Sequence, residues 1–343
     1  MPRIARLKYL DPRDGYYHII SRTVLKSYLL DDEARETFLG ILRMLSRVYF
    51  VKIVTFSLMN NHFHLIVRMV PSEDMSDDEL KARFQIYYNE GKQKRNWRPW
   101  HESDSPRYRR RFGDLSCFVQ DLKQRFSRWH NKKKDNHGHV WSERFKSVML
   151  EDGRALLACM VYVELNSIRA GLVERPEDFR YCGLSHLLTG GRASAWLDHE
   201  TLTRILKSPL LIEIGLIRAE GEQPVSHKIQ QDRRSDIRQY KELIYKEGVI
   251  EVTGKDQIRS DIDMQPPPTN CAEVAIFSFL QHWQHFSSGV FIGSKDFCSK
   301  RFKEFRKFFH TSVDRQGQRM VPGRMIVRGS LHDLFTFRRF RRE

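Results

Sequence analysis

Hydrophobic and polar positions change period several times along the chain, and each change marks an element. "GYYHIISR" (15–22) is β-branched and aromatic and predicts a strand. "DDEARETFLGILRMLSRV" follows, with an acidic first turn and Phe38, Ile41, Leu42 and Leu45 at helical spacing. The runs "YFVKIVTFSL" and "HFHLIVRMV" predict a hairpin turned at Met59-Asn60-Asn61, because asparagine tolerates the left-handed backbone of tight turns. Helical patterns cover 76–92 and 115–133, the latter with Phe118, Leu122, Phe126 and Trp129 on one stripe. Between them, 93–114 reads as a basic, aromatic loop without periodicity. A strand over 140–151 and a helix over 153–170, capped by Asp152 and closed by Gly171, complete this part.

Past about residue 190 the pattern changes. "SHKIQQDRRSDIRQYKELIYKEG" (226–248) predicts a helix, "QPPPTN" (265–270) a stiff linker, and "CAEVAIFSFLQHWQHF" (271–286) a second helix. Two units are therefore expected: an α+β unit over 1–190, and a basic, mainly helical accessory region over 191–343 with a linker near 255–270.

Composition narrows the partner. With 343 residues, 40% of them hydrophobic, the chain can bury a real core. A net charge of +16 and 12% aromatic residues favour a polyanion, nucleic acid before a membrane surface. No apolar run approaches the roughly 18 to 20 residues of a spanning helix, and the first residues lack the apolar core of a signal peptide. The expectation is a soluble, cytoplasmic protein, nucleoid-associated when bound to DNA. The five cysteines are scattered without a C-x-x-C pair and read as packing residues.

The chemistry starts at "NNHFHLIV". Strand alternation puts His62 and His64 on one face while Phe63, Leu65 and Val67 take the other. In the helix over 153–170, Tyr162 and Asn166 are i and i+4, so a phenol and a carboxamide share a face. If that helix crosses the histidine face, two imidazoles and one amide oxygen form a metal site with open positions, beside a tyrosine hydroxyl. A cation there polarises a scissile phosphate enough for tyrosine, a poor nucleophile at neutral pH, to attack it. The product is a phosphotyrosine bond that keeps the phosphodiester energy for rejoining.

"NNHFHLIV" resembles the His-hydrophobic-His (HUH) motif of single-tyrosine transposases. "YVELNSIRAGLVERPEDFRY" is similar to the Y-x-x-x-N-P-[VI]-R-A-G-L-V segment of REP-associated tyrosine transposases, and "HVWSERFKS" to their W-x-x-R-[YF]-K-S stretch. Ser167 stands where that family has proline. The resemblance spans roughly residues 10–190. It implies a ferredoxin-like antiparallel sheet backed by helices, Tyr162 as nucleophile, and His62 and His64 as ligands of Mg²⁺ or Mn²⁺, with Asn166 at the third-ligand position. It also implies hairpin-bearing single-stranded DNA as substrate and a monomer or homodimer as the working form.

Aromatic platforms beside cations hold unpaired bases and their backbone. In the basic loop Trp97, Arg98, Trp100, Arg109, Arg110 and Arg111 have that composition; in the helix over 115–133, so do Lys123, Arg125, Arg128 and Trp129. Arg144 and Lys146 are candidate phosphate contacts. Two rivals stand beside the transposase reading: a non-catalytic protein that grips hairpins, and a metal-dependent phosphodiesterase using water.

Overall fold

The computed structural model describes residues 7, 15–24, 29–73, 75–89, 98–209, 228–248, 286–287, 289–309, 317–320 and 334–338. Strand β1 (Gly15–Arg22) leads into helix α1 (Asp32–Val48), whose N-cap Asp31 accepts from the Ala34 amide. Strands β2 (Val51–Leu58) and β3 (His62–Met69) form the expected hairpin, followed by α2 (Asp77–Asn89), α3 (Ser105–Phe112) and α4 (Leu115–Lys134). Strand β4 (Lys146–Leu150) and helix α5 (Arg154–Glu164) come next, then a separate short helix α6 (Asn166–Arg169).

Among the described residues the sheet has seven strands. Its first part runs β2-β3-β1-β4 with all pairings antiparallel. Directly paired residues share a face, so the register separates the two sides. Tyr17, Ile19, Phe63, Leu65 and Val67 face one way; Phe63 meets Phe38 of α1 at 4.9 Å between ring centroids, and Phe38 meets Phe126 of α4 at 5.5 Å. Tyr16, His18, Ile20, Arg22, His62, His64, Ile66 and Arg68 face the other way, where α5 packs. A β-bulge at Val54 shifts the register of β2, so that Thr55 pairs with Ile66 and Ser57 with His64. Without that extra residue the two hydroxyls would lie on the opposite face.

The outer edge of β2 is covered rather than left open. Ser57 bridges to Cys182, Ile53 bridges to Leu197, and the Asp198 amide donates to the Ile53 carbonyl at 2.7 Å. Arg68 holds Asp198 and Glu200, both at 2.8 Å, fixing the helix His199–Leu206 over the far end of the histidine face. Residues past 190 thus bury Leu197, Leu202, Ile205 and Leu206 in the same core as the strands.

Several expectations need correction. The stretch 93–114, read as a loop, contains α3, with Pro106 in its first turn, arginines in its last, and Tyr108 and Phe112 buried one turn apart. The strand expected over 140–151 is a continuous strand only from Lys146: Trp141 makes an isolated antiparallel bridge with Thr23, and the ladder is interrupted between Trp141 and Lys146. The Trp141 indole packs on Phe63 and Phe126, each at 5.5 Å, and donates to the Lys123 carbonyl at 3.1 Å. The helix over 153–170 divides at Leu165.

The C-terminal region has the expected helix Lys228–Gly248 and a further helix, Lys295–Phe305, that the sequence pattern did not lead us to expect. It also supplies strands β5 (Gly289–Gly293), β6 (Gln318–Arg319) and β7 (Phe335–Arg338), which were too short to read from alternation. Strand β5 pairs in parallel with β4 through Met149↔Phe291 and Leu150↔Ile292, and the order continues β5-β7-β6. The linker near 255–270 and all but the last residue of the helix expected over 271–286 lie outside the described residues. No helix among the described residues is long and apolar enough to cross a membrane.

Candidate active site

His64 and its register partners place the chemistry at the centre of the sheet, where α5 crosses β2 and β3. His64 is buried, paired across to Ile20 of β1 and Ser57 of β2, and His62 lies two residues nearer the strand end opposite Arg22. Their ring centroids are 5.0 Å apart. Tyr162, in the last turn of α5, stands edge-on to His64 at 5.6 Å and to His18 at 5.8 Å. Three of the four residues singled out from sequence therefore converge.

Burial sets their protonation. Desolvation lowers His62 to about 4, with the Arg22 cation acting in the same direction, and lowers His64 well below the ordinary imidazole value. Neutral imidazoles carry the lone pairs that metal ligation needs. Each ring also has its Nδ1 engaged: His62 Nδ1 lies 2.7 Å from Asn61 Oδ1, and His64 Nδ1 lies 2.9 Å from His18 Nε2. That leaves Nε2 on each as the candidate ligand atom. The Asn166 amide nitrogen donates to the Tyr162 carbonyl at 2.7 Å, leaving its oxygen as the third candidate donor. This side-chain bond competes for a helix carbonyl at the point where α5 and α6 separate.

Two neutral nitrogens and an amide oxygen, with no carboxylate, make a weak three-donor set that leaves room for phosphate oxygens around Mg²⁺ or Mn²⁺. Among the described residues there is no group of three or more His, Cys, Asp and Glu side chains arranged to hold a metal. Glu164, two residues past the tyrosine, points into the protein instead. It accepts from Thr55 Oγ1 and from the Leu184 amide at 3.1 Å, and burial pushes its carboxyl up to about 7.

Tyr162 itself is only 2% exposed. Burial pushes its hydroxyl up to about 12, against the opposing pull of the Arg169 cation, which sits 5.6 Å from the ring centre. The ring of Phe286, from the C-terminal region, stacks on it at 4.8 Å and 15°. His18, Arg22, Arg169 and Phe286 were not singled out from sequence. Two-residue alternation on β1 was the signal for the first two; Arg169 lies within the motif that carried Tyr162, and Phe286 had no local signal.

The expected DNA contacts divide. Trp97 lies outside the described residues. Arg98 pairs with Asp104 at 2.9 Å, Arg109 with Asp77 at 2.8 Å, and Arg111 with the buried Asp121 at 2.9 Å. Lys123 donates to the Glu143 carbonyl at 2.8 Å and Arg125 to that of Tyr87 at 3.3 Å. Trp100 packs against Phe84 at 5.1 Å, and Trp129 against Phe126 at 5.7 Å, so both rings are partly committed to the core. Arg110, Arg128, Arg144 and Lys146 are exposed. Lys146 also shares the histidine face, paired with Ile20.

Residues 13–103 match the family model described as "Transposase IS200 like", a stretch that contains His62 and His64 and ends before Tyr162. Among solved structures, that of a REP-associated tyrosine transposase bound to a REP hairpin matches at 13% identity and a TM-score of 0.37. The match covers 66% of this chain and 100% of that one, a likeness too distant to carry further argument. The comparison with curated proteins gives no match.

Proposed function

We propose that this chain is an IS200-like transposase that cleaves and rejoins single-stranded DNA through Tyr162, at sites flanked by REP-like hairpins, on a ferredoxin-like HUH nuclease sheet. The observation that carries the reading is the convergence of His62, His64 and Tyr162 on one sheet face, with His64 and Tyr162 ring centroids 5.6 Å apart. The oxygen of Tyr162 attacks the phosphorus, the bond from phosphorus to the 3′ oxygen breaks, and the phenol proton is transferred overall to the departing 3′ oxygen. The products are a 5′-phosphotyrosine and a free 3′ hydroxyl, and the reverse reaction rejoins a strand.

His62, His64 and Asn166 would hold the divalent cation. When bound, Mg²⁺ or Mn²⁺ supplies charge stabilisation to the phosphoryl oxygens and orients the scissile phosphate. Arg169, 5.6 Å from the Tyr162 ring centre, and Arg22 add positive charge beside the tyrosine, and both favour its ionised form. Of the cations singled out from sequence, Arg110, Arg128, Arg144 and Lys146 are exposed, and we assign the DNA backbone to them.

A second reading, a protein that grips hairpins without cutting, is favoured by one observation: Tyr162 is covered by Phe286 and almost sealed from solvent. Incubation of labelled hairpin-bearing single-stranded DNA with protein and Mn²⁺, then denaturing electrophoresis, separates the two. Strand transfer requires a covalent protein-DNA band that disappears in Tyr162→Phe while affinity for the DNA stays nearly unchanged. Tight binding with no covalent band supports the non-cutting alternative.

A further inference from the structure

A chain of three hydrogen-bonding groups stands behind His64. His18 Nδ1 lies 3.0 Å from the backbone carbonyl oxygen of Phe286, and His18 Nε2 lies 2.9 Å from His64 Nδ1. The two rings stack at 5.1 Å and 17°, and His18 is fully buried. A carbonyl oxygen only accepts, so His18 Nδ1 carries a proton and donates it. A ring kept neutral by burial has one N–H, so His18 Nε2 is then bare and accepts. Its partner His64 Nδ1 must donate, and His64 Nε2 is left without a proton.

We propose that His18 is a positioning residue of the site: anchored on the Phe286 carbonyl, it fixes the tautomer and orientation of His64 so that Nε2 faces the site as a lone pair. Ligating histidines commonly donate their other ring N–H to a fixed acceptor, and loss of that acceptor typically costs about 10–100-fold in metal affinity. Here the acceptor is a second imidazole whose own tautomer is set by a residue 268 positions further along the chain. The C-terminal region therefore reaches the site twice, through the Phe286 ring on Tyr162 and through the Phe286 carbonyl on His18. Its contribution is the alignment of a ligand, which an appended DNA-binding arm would not provide.

The inference rests on the reading of His64 as a ligand, so its test has one arm that needs no metal. Histidine-selective ¹⁵N spectra of the metal-free protein, with the His64 signals assigned by their loss in His64→Gln, report which ring nitrogen holds the proton. Mn²⁺ affinity is measured separately from the electron paramagnetic resonance signal of the free ion. Wild type is expected to show His64 protonated at Nδ1. His18→Phe keeps a ring in the stack but removes both nitrogens; it should move protons to His64 Nε2 and weaken Mn²⁺ binding about 10-fold or more. His18→Gln carries a donor and an acceptor at its tip and should restore both readouts. Should His18→Phe fail to fold, the wild-type spectrum and His18→Gln still decide the matter. A wild-type His64 protonated at Nε2, or a tautomer unmoved in folded His18→Phe, overturns the relay. If wild type binds no Mn²⁺ through His62 and His64, the ligand role falls, while the spectrum still tells whether the relay exists.

Discussion

Glu164 shows how the chain separates chemistry from architecture within one helix. Tyr162 faces the histidines, whereas Glu164 ties α5 to Thr55 on β2 and to the Leu184 amide, with the Tyr240 hydroxyl at 3.5 Å. Desolvation raises its carboxyl to about 7 in the folded protein, from the ordinary 4.5. The folded state thus holds this proton more tightly than the unfolded chain. Its contribution to stability is complete below about pH 4.5 and is lost as pH rises to about 7. Over that window the loss is on the order of 2 kcal/mol. Glu164→Gln, measured by urea unfolding at pH 5 and pH 8, should abolish that difference; an unchanged difference would place the titration elsewhere. The neighbouring Gly183 belongs to the same junction. A Cβ there would meet Thr55 Oγ1 at 2.0 Å and Glu164 Oε1 at 2.8 Å, so Gly183→Ala should destabilise by about 1–3 kcal/mol in the same assay.

At the scale of elements, α3 makes the sharpest distinction between charge that folds and charge that binds. Arg111 donates to both oxygens of Asp121, a buried carboxylate that also accepts from the hydroxyls of Tyr49 and Tyr87. Its neighbour Arg110 is exposed. Arg111→Ala leaves Asp121 with less compensation and should destabilise by about 1–3 kcal/mol, a figure reduced from that of a fully buried pair because the arginine is 36% exposed. Arg110→Ala should leave the melting temperature unchanged and weaken single-stranded DNA binding modestly. Equal melting temperatures for the two variants would refute the division. This is also where sequence reading stops. The hairpin and its histidines were legible because period-two alternation is local, and α1 and α4 because their stripes are long. In α3 a single apolar pair, Tyr108 and Phe112, was hidden among arginines, and no sequence feature tells which arginine has a carboxylate behind it. Val54 as a bulge was equally invisible, although it decides that Thr55 reaches Glu164.

For the molecule as a whole, the sheet runs from the hairpin to the C-terminal strands. Phe286, Phe291 and Ile292 are fully buried, and burying a large apolar side chain contributes about 1.5–3 kcal/mol. A chain stopped at Thr269 loses β5 to β7 and uncovers one edge of β4, so it should melt several degrees lower and aggregate more readily than the full chain. A truncated protein that melts as the full chain does would restore the picture of a detachable arm. Sequence could not show this link, because the pairing of β4 with β5 joins residues some 140 positions apart through a five-residue run. Strand transfer through Tyr162 requires its hydroxyl oxygen to take the phosphate. Trypsin cuts after Arg154 and Arg169 and releases "ALLACMVYVELNSIR", in which Tyr162 is the sole tyrosine. Mass mapping of the covalent adduct, after nuclease trimming of the DNA, should find the phosphonucleotide on this peptide. A nucleotide on any other peptide, or cleaved DNA with no modified peptide, would contradict the central claim.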